Sequence, residues 1–324
     1  MENLINWKRV YGNFALLLDA YRRQEFPYQP EHLARVPHHM VDVQALPDWT
    51  ANDWFYTTHL LRGKVQSHMA TARAIELRAK HPELFDPYEA AKFSAAEIDR
   101  RLEQVFGTVP PQQHYGEAWR RNSEILIAWG GDILAVYEGL TTEVEVRDRV
   151  MNKGDDTLPL RERGFYGFQE KMCALLTINL MQAGFIRRIS MSFPVDFHHT
   201  RVLIGTGMFK LENGSYNPKS IMAAGDAIGR AYLDRFPGVD PVKFSELLFI
   251  LSREGCRWAN NEPETDWKDP ATINRFRRSC APCPLAFRCD QTVLTRDYYP
   301  EGKGSPRRIT VVSRPKPPRS FRLG

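Results

Sequence analysis

The sequence predicts a mainly α-helical protein, and three observations carry that expectation. Apolar residues recur at helical spacing near the start, at Leu4, Ile5, Val10, Phe14, Leu17, Leu18 and Tyr21. The stretch from Phe168 to Phe185 is apolar on nearly every face, as a central buried helix must be. No run of alternating apolar and polar residues is long enough to demand a sheet.

The elements follow in order. A first helix is expected from Leu4 to Gln24, with Asn3 as its cap. Residues 26–48 are rich in proline and histidine and read as an irregular insertion. A helix running from Trp54 to about Arg78 comes next, capped by Asn52. Further helices are expected after Ser94 and after Tyr115. Residues 140–163 are dense in charge and read as a short solvated helix and a loop, followed by a turn at Gly164 to Gly167. Beyond the buried stretch, helices are expected to begin near Asp196 and near Asn217, and a third to run from Pro241 to Glu254. The tail from Glu301 to Gly324 holds seven Lys or Arg, one acid and four prolines. That composition cannot bury a core, so the tail is expected to be solvated.

The length of 324 residues suits one large domain or two closely joined ones, and 43% hydrophobic residues are enough for a proper core. A formal net charge of +5 fits nucleic-acid binding without requiring it. The start carries Glu2, Lys8 and Arg9 where a signal peptide would place apolar residues. The longest apolar stretch, Met172 to Ile186, is interrupted by Thr177, Asn179 and Gln182 and is too short to span a bilayer. A soluble, cytoplasmic, monomeric protein is the expectation. Five cysteines in so long a chain do not read as a disulfide framework, and in a reducing compartment clustered thiols are more often metal ligands.

The strongest local signal is the segment CAPCPLAFRC, from Cys280 through Cys283 to Cys289, with Cys-x2-Cys-x5-Cys spacing. Cys256, upstream at the end of an apolar helix, completes a set of four. Four thiolates can hold a cubane iron-sulfur cluster or a single zinc ion, and spacing alone does not separate the two. Pro282 and Pro284 stiffen the loop. Arg275, Arg277, Arg278 and Arg288 offset the anionic thiolates and leave a positive face for phosphates. Cys173, inside the apolar stretch, reads instead as a buried cysteine without chemistry.

With its Cys283-Pro284-Leu285 step and closing Cys289, this loop resembles that of the endonuclease III and adenine glycosylase group of helix-hairpin-helix DNA glycosylases. A second segment, FPVDFHHTRV, resembles that family's Val-Asp-x-His-x-x-Arg-Val pattern at Val195, Asp196, His198, Arg201 and Val202. The resemblance covers roughly residues 50–292. It departs from the family in the 23 residues between Cys256 and Cys280, a much longer interval than the family has, so residues 258–279 read as carrying an insertion.

The resemblance implies a two-lobed helix-hairpin-helix glycosylase fold with a [4Fe-4S] cluster loop. Its parts would be an N-terminal helix (1–25) packed with the cluster lobe, the insertion (26–48), and a helical barrel with a degenerate hairpin (49–192). A cluster-bearing lobe (193–296) and the basic tail (297–324) follow. It implies double-stranded DNA as partner, bound across the groove between the lobes, and an activity that cuts a base from its sugar. Asp196 would stabilise the positive charge that builds on the sugar, or orient the attacking nucleophile. As an aspartate before a helix it also reads as an N-cap. The hairpin is worn: Gly167 falls on the family's first glycine, Gln169 replaces the second, and Lys171 falls on the lysine of the members that also cleave the strand. If buried beside Asp196, Lys171 could attack the sugar; if it points away, water does so. His198 and Arg201 read as structural or phosphate-facing. Lys64 or Gln66 stand where a side chain could fill the gap left by an extruded base, and Arg277 and Arg278 would face DNA. Trp54, Phe55 and Tyr56 read as core, with one of them able to line a pocket. Two rival readings remain: a non-catalytic binder of damaged or modified bases on the same scaffold, and a zinc-stabilised helical protein of unrelated function.

Overall fold

The computed structural model describes residues 4–36, 40, 49–62, 67–107, 114–189, 191, 197–210, 218–236, 239, 241–256, 271, 278, 280–289, 293–294 and 311–312. The protein is mainly helical. Among the described residues the helices include α1 (Trp7–Arg22), α2 (Pro30–Leu33), α3 (Ala51–Leu60), α4 (Ser67–Lys80), α5 (Pro87–Ala90), α6 (Ala95–Phe106) and α7 (Tyr115–Ala128). They continue with α8 (Ile133–Tyr137), α9 (Glu143–Val150), α10 (Glu170–Gln182), α11 (Phe197–Gly205), α12 (Pro218–Arg235) and α13 (Pro241–Ile250). None is long and apolar enough to cross a membrane. The chain forms two compact units: Ala34–Pro194 is one, and Met1–Leu33 with Val195–Gly324 is the other.

The first unit, residues 34–194, is built around α3. Thr50 caps this helix, its hydroxyl accepting from the Asp53 N–H while the Asp53 carboxylate accepts from the Thr50 N–H at 2.6 Å. The cap is therefore two residues earlier than expected at Asn52. The Asn52 amide is instead taken by the turn before α8, donating to the Gly131 carbonyl and accepting from the Ile133 N–H. The expected long helix is two helices, α3 and α4, joined through residues 61–66. Asp53 also receives Arg78 of α4 at 2.9 Å, which ties the two together.

Trp54, Phe55 and Tyr56 are all buried in the core, so none of them is left to line a pocket. Phe55 stacks on Phe168 with rings 5.4 Å apart, and Tyr56 stacks on Trp119 at 4.7 Å while its hydroxyl meets Ser123. Such pairs contribute about 0.5–1.5 kcal/mol each beyond the area they bury. Cys173 on α10 is fully buried and its thiol is pushed up to about 12, chiefly by burial, so it stays protonated and inert.

The second unit joins both ends of the chain. Ile5 forms an isolated antiparallel bridge with Phe209, with the Lys210 N–H donating to the Leu4 carbonyl and the Asn6 N–H donating to the Met208 carbonyl. Because this edge is paired, α1 starts only at Trp7 and its cap is Asn6, whose side chain accepts from the Arg9 N–H. Phe14 of α1 packs on Phe244 of α13 at 4.2 Å and on Tyr232 of α12 at 5.0 Å. Val311 and Val312 of the basic tail pair antiparallel with Leu294 and Val293, so these two residues form a short strand. Valine favours a pleated neighbour, and the surrounding charge does not override that preference over two residues.

Candidate functional site

Cysteines 280, 283 and 289 lie on a run of tight turns. The Cys283 N–H donates to the Cys280 carbonyl at 3.0 Å, and the Cys289 N–H donates to the Leu285 carbonyl at 2.8 Å. Leu285, fully buried, anchors the run. Cys256 follows a short π-helical turn, Leu251–Gly255, that extends α13. None of the described cysteines is in a disulfide.

Burial first, then Cys283 and Cys289, push the Cys256 thiol well above its ordinary range, with Arg201 opposing and Cys280 adding to the rise. All four cysteines are therefore electrostatic neighbours. The Cys283 thiol is pushed up to about 11, mainly by burial and against a backbone N–H from Leu285. Tyr28, buried beside this group, has its phenol raised by burial and then by Cys283 and Cys256, and it donates to the Leu247 carbonyl. Burial and neighbouring thiols favour the protonated form at Cys256 and Cys283, so a metal group binding there would displace their protons. Among the described residues no three His, Cys, Asp or Glu side chains already converge as ligands of one metal ion. The arrangement is a neighbourhood of thiols rather than a closed ligand set.

The second motif meets this neighbourhood. Helix α11 begins one residue after Asp196, which itself lies outside the described residues. On its first turns, His198 bonds the Ser252 hydroxyl at 3.1 Å and Arg201 donates to the Ser252 carbonyl at 3.1 Å. Ser252 is on the π-helical turn that leads to Cys256. At the far end of α11, the Gly205 carbonyl accepts from Cys289 Sγ at 3.1 Å. Both ends of α11 are thus fastened to the cysteine segments. Arg201 is 7% exposed and donates to the Ser252 carbonyl, an arrangement that matches the structural one of its two expected roles. His198 is likewise engaged with Ser252 and with the edge of Phe249, and His199 bonds Ser245. The two histidines meet different serines, in keeping with the separate directions of adjacent helical side chains.

The worn hairpin belongs to the other unit. Gly164 and Gly167 both have left-handed backbone, with φ of +65° and +81°. Gln169 does not: its φ is −106°, so a side chain there costs nothing in backbone strain. Asn122 of α7 clamps the turn from both sides, donating to the Tyr166 carbonyl and accepting from the Tyr166 N–H at 2.7 Å. A Cβ on Gly164 would stand 1.8 Å from the Met151 carbonyl oxygen, and one on Gly167 would strike the Arg62 guanidinium. Gly164→Ala is therefore expected to destabilise the protein by about 2–4 kcal/mol, combining left-handed strain with overpacking. Thermal unfolding measures this, and an unchanged midpoint would show that the turn does not need its glycine.

Lys171, in the first turn of α10, is exposed, as are Gln169 and Glu170. Arg278 is exposed. Lys64, Gln66 and Arg277 lie, with Asp196, outside the described residues.

Several structural side chains had no legible sequence signal. Asn122, Asn52 and Arg62 take their roles from residues far away in sequence. His59 is 1% exposed, stacks on Phe168, and is held neutral by burial and then by Arg62, with neither ring nitrogen bonded among the described residues. Comparison of the chain with family models, with curated proteins and with solved structures finds no match.

Proposed function

We propose that the chain is a DNA glycosylase that excises a damaged or modified base from double-stranded DNA and carries a [4Fe-4S] cluster on Cys256, Cys280, Cys283 and Cys289. One observation carries this reading: the helix that follows Asp196 is bonded at both ends to the segments holding those cysteines. Two motifs nearly eighty residues apart in sequence meet in one unit, and they are the two on which the family resemblance rests. The donor set suits the cluster in kind, because four cysteines can supply its thiolate ligands and a bound cation would relieve the repulsion that Cys256 feels from the other three. The cluster's role is architectural. It would hold the loop and the turn before Cys256 in place, and through Ser252 the start of α11.

The chemistry asked of the chain is modest in its parts. The bond from C1′ to the base nitrogen breaks, a new bond from C1′ to a water oxygen forms, and the proton lost by water ends on the departing base. Positive charge builds on the sugar ring meanwhile. The Asp196 carboxylate would lower the cost of that charge and orient the water. An exposed Lys171 favours water over the amine as nucleophile. Strand cleavage through a Schiff base on Lys171 is the less favoured course, and borohydride trapping of a protein–DNA adduct detects it.

The test is mass spectrometry of bases released from a panel of damaged and modified duplexes by the purified protein. A released base identifies the substrate. Tight binding across the panel with no base released would overturn catalysis and favour a non-catalytic reader, a reading that the Gln169 hairpin also supports.

A further inference from the structure

We infer that residues 26–33 are a strap that positions Cys256 within the cysteine group, with Tyr28 and His32 as its positioning residues. The inference rests on the cluster reading above and concerns a segment outside the family resemblance, which covers roughly residues 50–292. Residues 26–33 belong to the same compact unit as Cys256. Tyr28 is fully buried, and its hydroxyl donates at 2.9 Å to the carbonyl of Leu247, one helical turn before the helix widens at Leu251. The strap then follows the wide turn itself. Arg253 donates to the His32 carbonyl at 2.8 Å, and His32 Nε2 stands 3.9 Å from a Glu254 carboxylate oxygen. The His32 ring is set by its Nδ1, which donates to the Pro27 carbonyl at 2.9 Å. A Cβ on Gly255 would lie 3.7 Å from the Phe26 ring and 3.9 Å from Pro27 Cγ, so the strap reaches the residue directly before Cys256.

Cys256 needs such a hold. The 23 residues before Cys280 make a long connection, and a long connection restricts where its ends lie far less than a short one does. The turn that leads to Cys256 is π-helical, a geometry that is rare and found mostly as single turns, often at functional sites. On one side α11 grips this turn, through His198 and Arg201 on Ser252. The strap supplies a second set of contacts, to Leu247, Arg253, Glu254 and Gly255. Tyr28 also lies within electrostatic reach of Cys283 and Cys256, which sets the strap beside the thiols. Tyr28 and His32 act through the turn and are not ligands. Outer partners of this kind orient the ligands of a metal group, and losing one costs about 10–100-fold in metal affinity.

The test uses the full-length protein purified without air, as wild type, Tyr28→Phe and His32→Ala. Tyr28→Phe keeps the buried ring and removes only the bond to Leu247. Ferricyanide takes one electron from the cluster, one ferrous ion departs, and the three-iron cluster that remains is counted by electron paramagnetic resonance. Iodoacetamide then labels whichever cysteine has been released, and peptide mass spectrometry locates it. Each variant is expected to give the three-iron form about 10-fold faster than wild type, with the label on Cys256. Wild-type rate and labelling in either variant would overturn the inference and leave the cluster reading standing. Faster loss with the label spread over Cys256, Cys280, Cys283 and Cys289 would overturn it as well, because a general loosening of the unit favours no one ligand. Wild-type protein purified without iron would overturn both.

Discussion

On the proposed cluster, Cys283→Ser is expected to abolish violet-region absorbance and bound iron and sulfide, and to lower stability by more than about 3 kcal/mol. The effect is large because the residue has no spare environment to fall back on. Cys283 is half-buried, receives a backbone N–H from Leu285 and lies within electrostatic reach of Cys256 and Cys280. A serine hydroxyl is a poor ligand for iron, so the cluster would lose one of its four proposed ligands. The consequences should spread along α11, because Cys289 and Ser252 fasten its two ends. Cys173→Ala is the control: that cysteine lies in the core of the other unit and should leave the colour intact. Iron and sulfide analysis of protein purified without air checks the prediction. Colourless wild-type protein with bound zinc would exclude the cluster, and a Cys283→Ser protein as brown as wild type would remove this residue from its ligands.

Asp196→Asn is expected to slow base release by roughly 100-fold or more while leaving DNA affinity within a few-fold of wild type. Asparagine keeps the size and the hydrogen-bonding capacity of an N-cap, so a purely capping role would survive the change. What it removes is the negative charge that, in the proposed mechanism, would oppose the cation on the sugar. Single-turnover measurement on whichever duplex yields a released base separates the two roles. Equal rates for mutant and wild type would reduce Asp196 to a cap and end the proposed mechanism.

The helices were legible wherever the signal was local. The 3.6-residue apolar pattern in α1, the Ser94 cap before α6 and the apolar stretch of α10 each depend on neighbours within a turn or two. Errors arose where a distant partner competed for the same group. Asn52 has the chemistry of a cap, but a turn some eighty residues later takes its amide, and Thr50 caps α3 instead. At the N-terminus, the extended pairing of Leu4 and Ile5 with the chain near Phe209 moves the start of α1 from Leu4 to Trp7. The tail valines pair with residues 293–294 against the trend of their composition.

The candidate site divides in the same way. The sequence by itself determined a helical chain, an inert Cys173, a turn with glycines at 164 and 167, and the residue types able to bind metal and to carry charge, since each follows from side-chain chemistry or short-range spacing. Only the tertiary structure decided that Cys256 comes within electrostatic reach of the other three thiols despite the long interval before Cys280, that Arg201 turns inward to Ser252, and that Phe287 is exposed to solvent. Those outcomes depend on which distant surfaces bury one another, and burial is a property of the packed chain that no local pattern encodes.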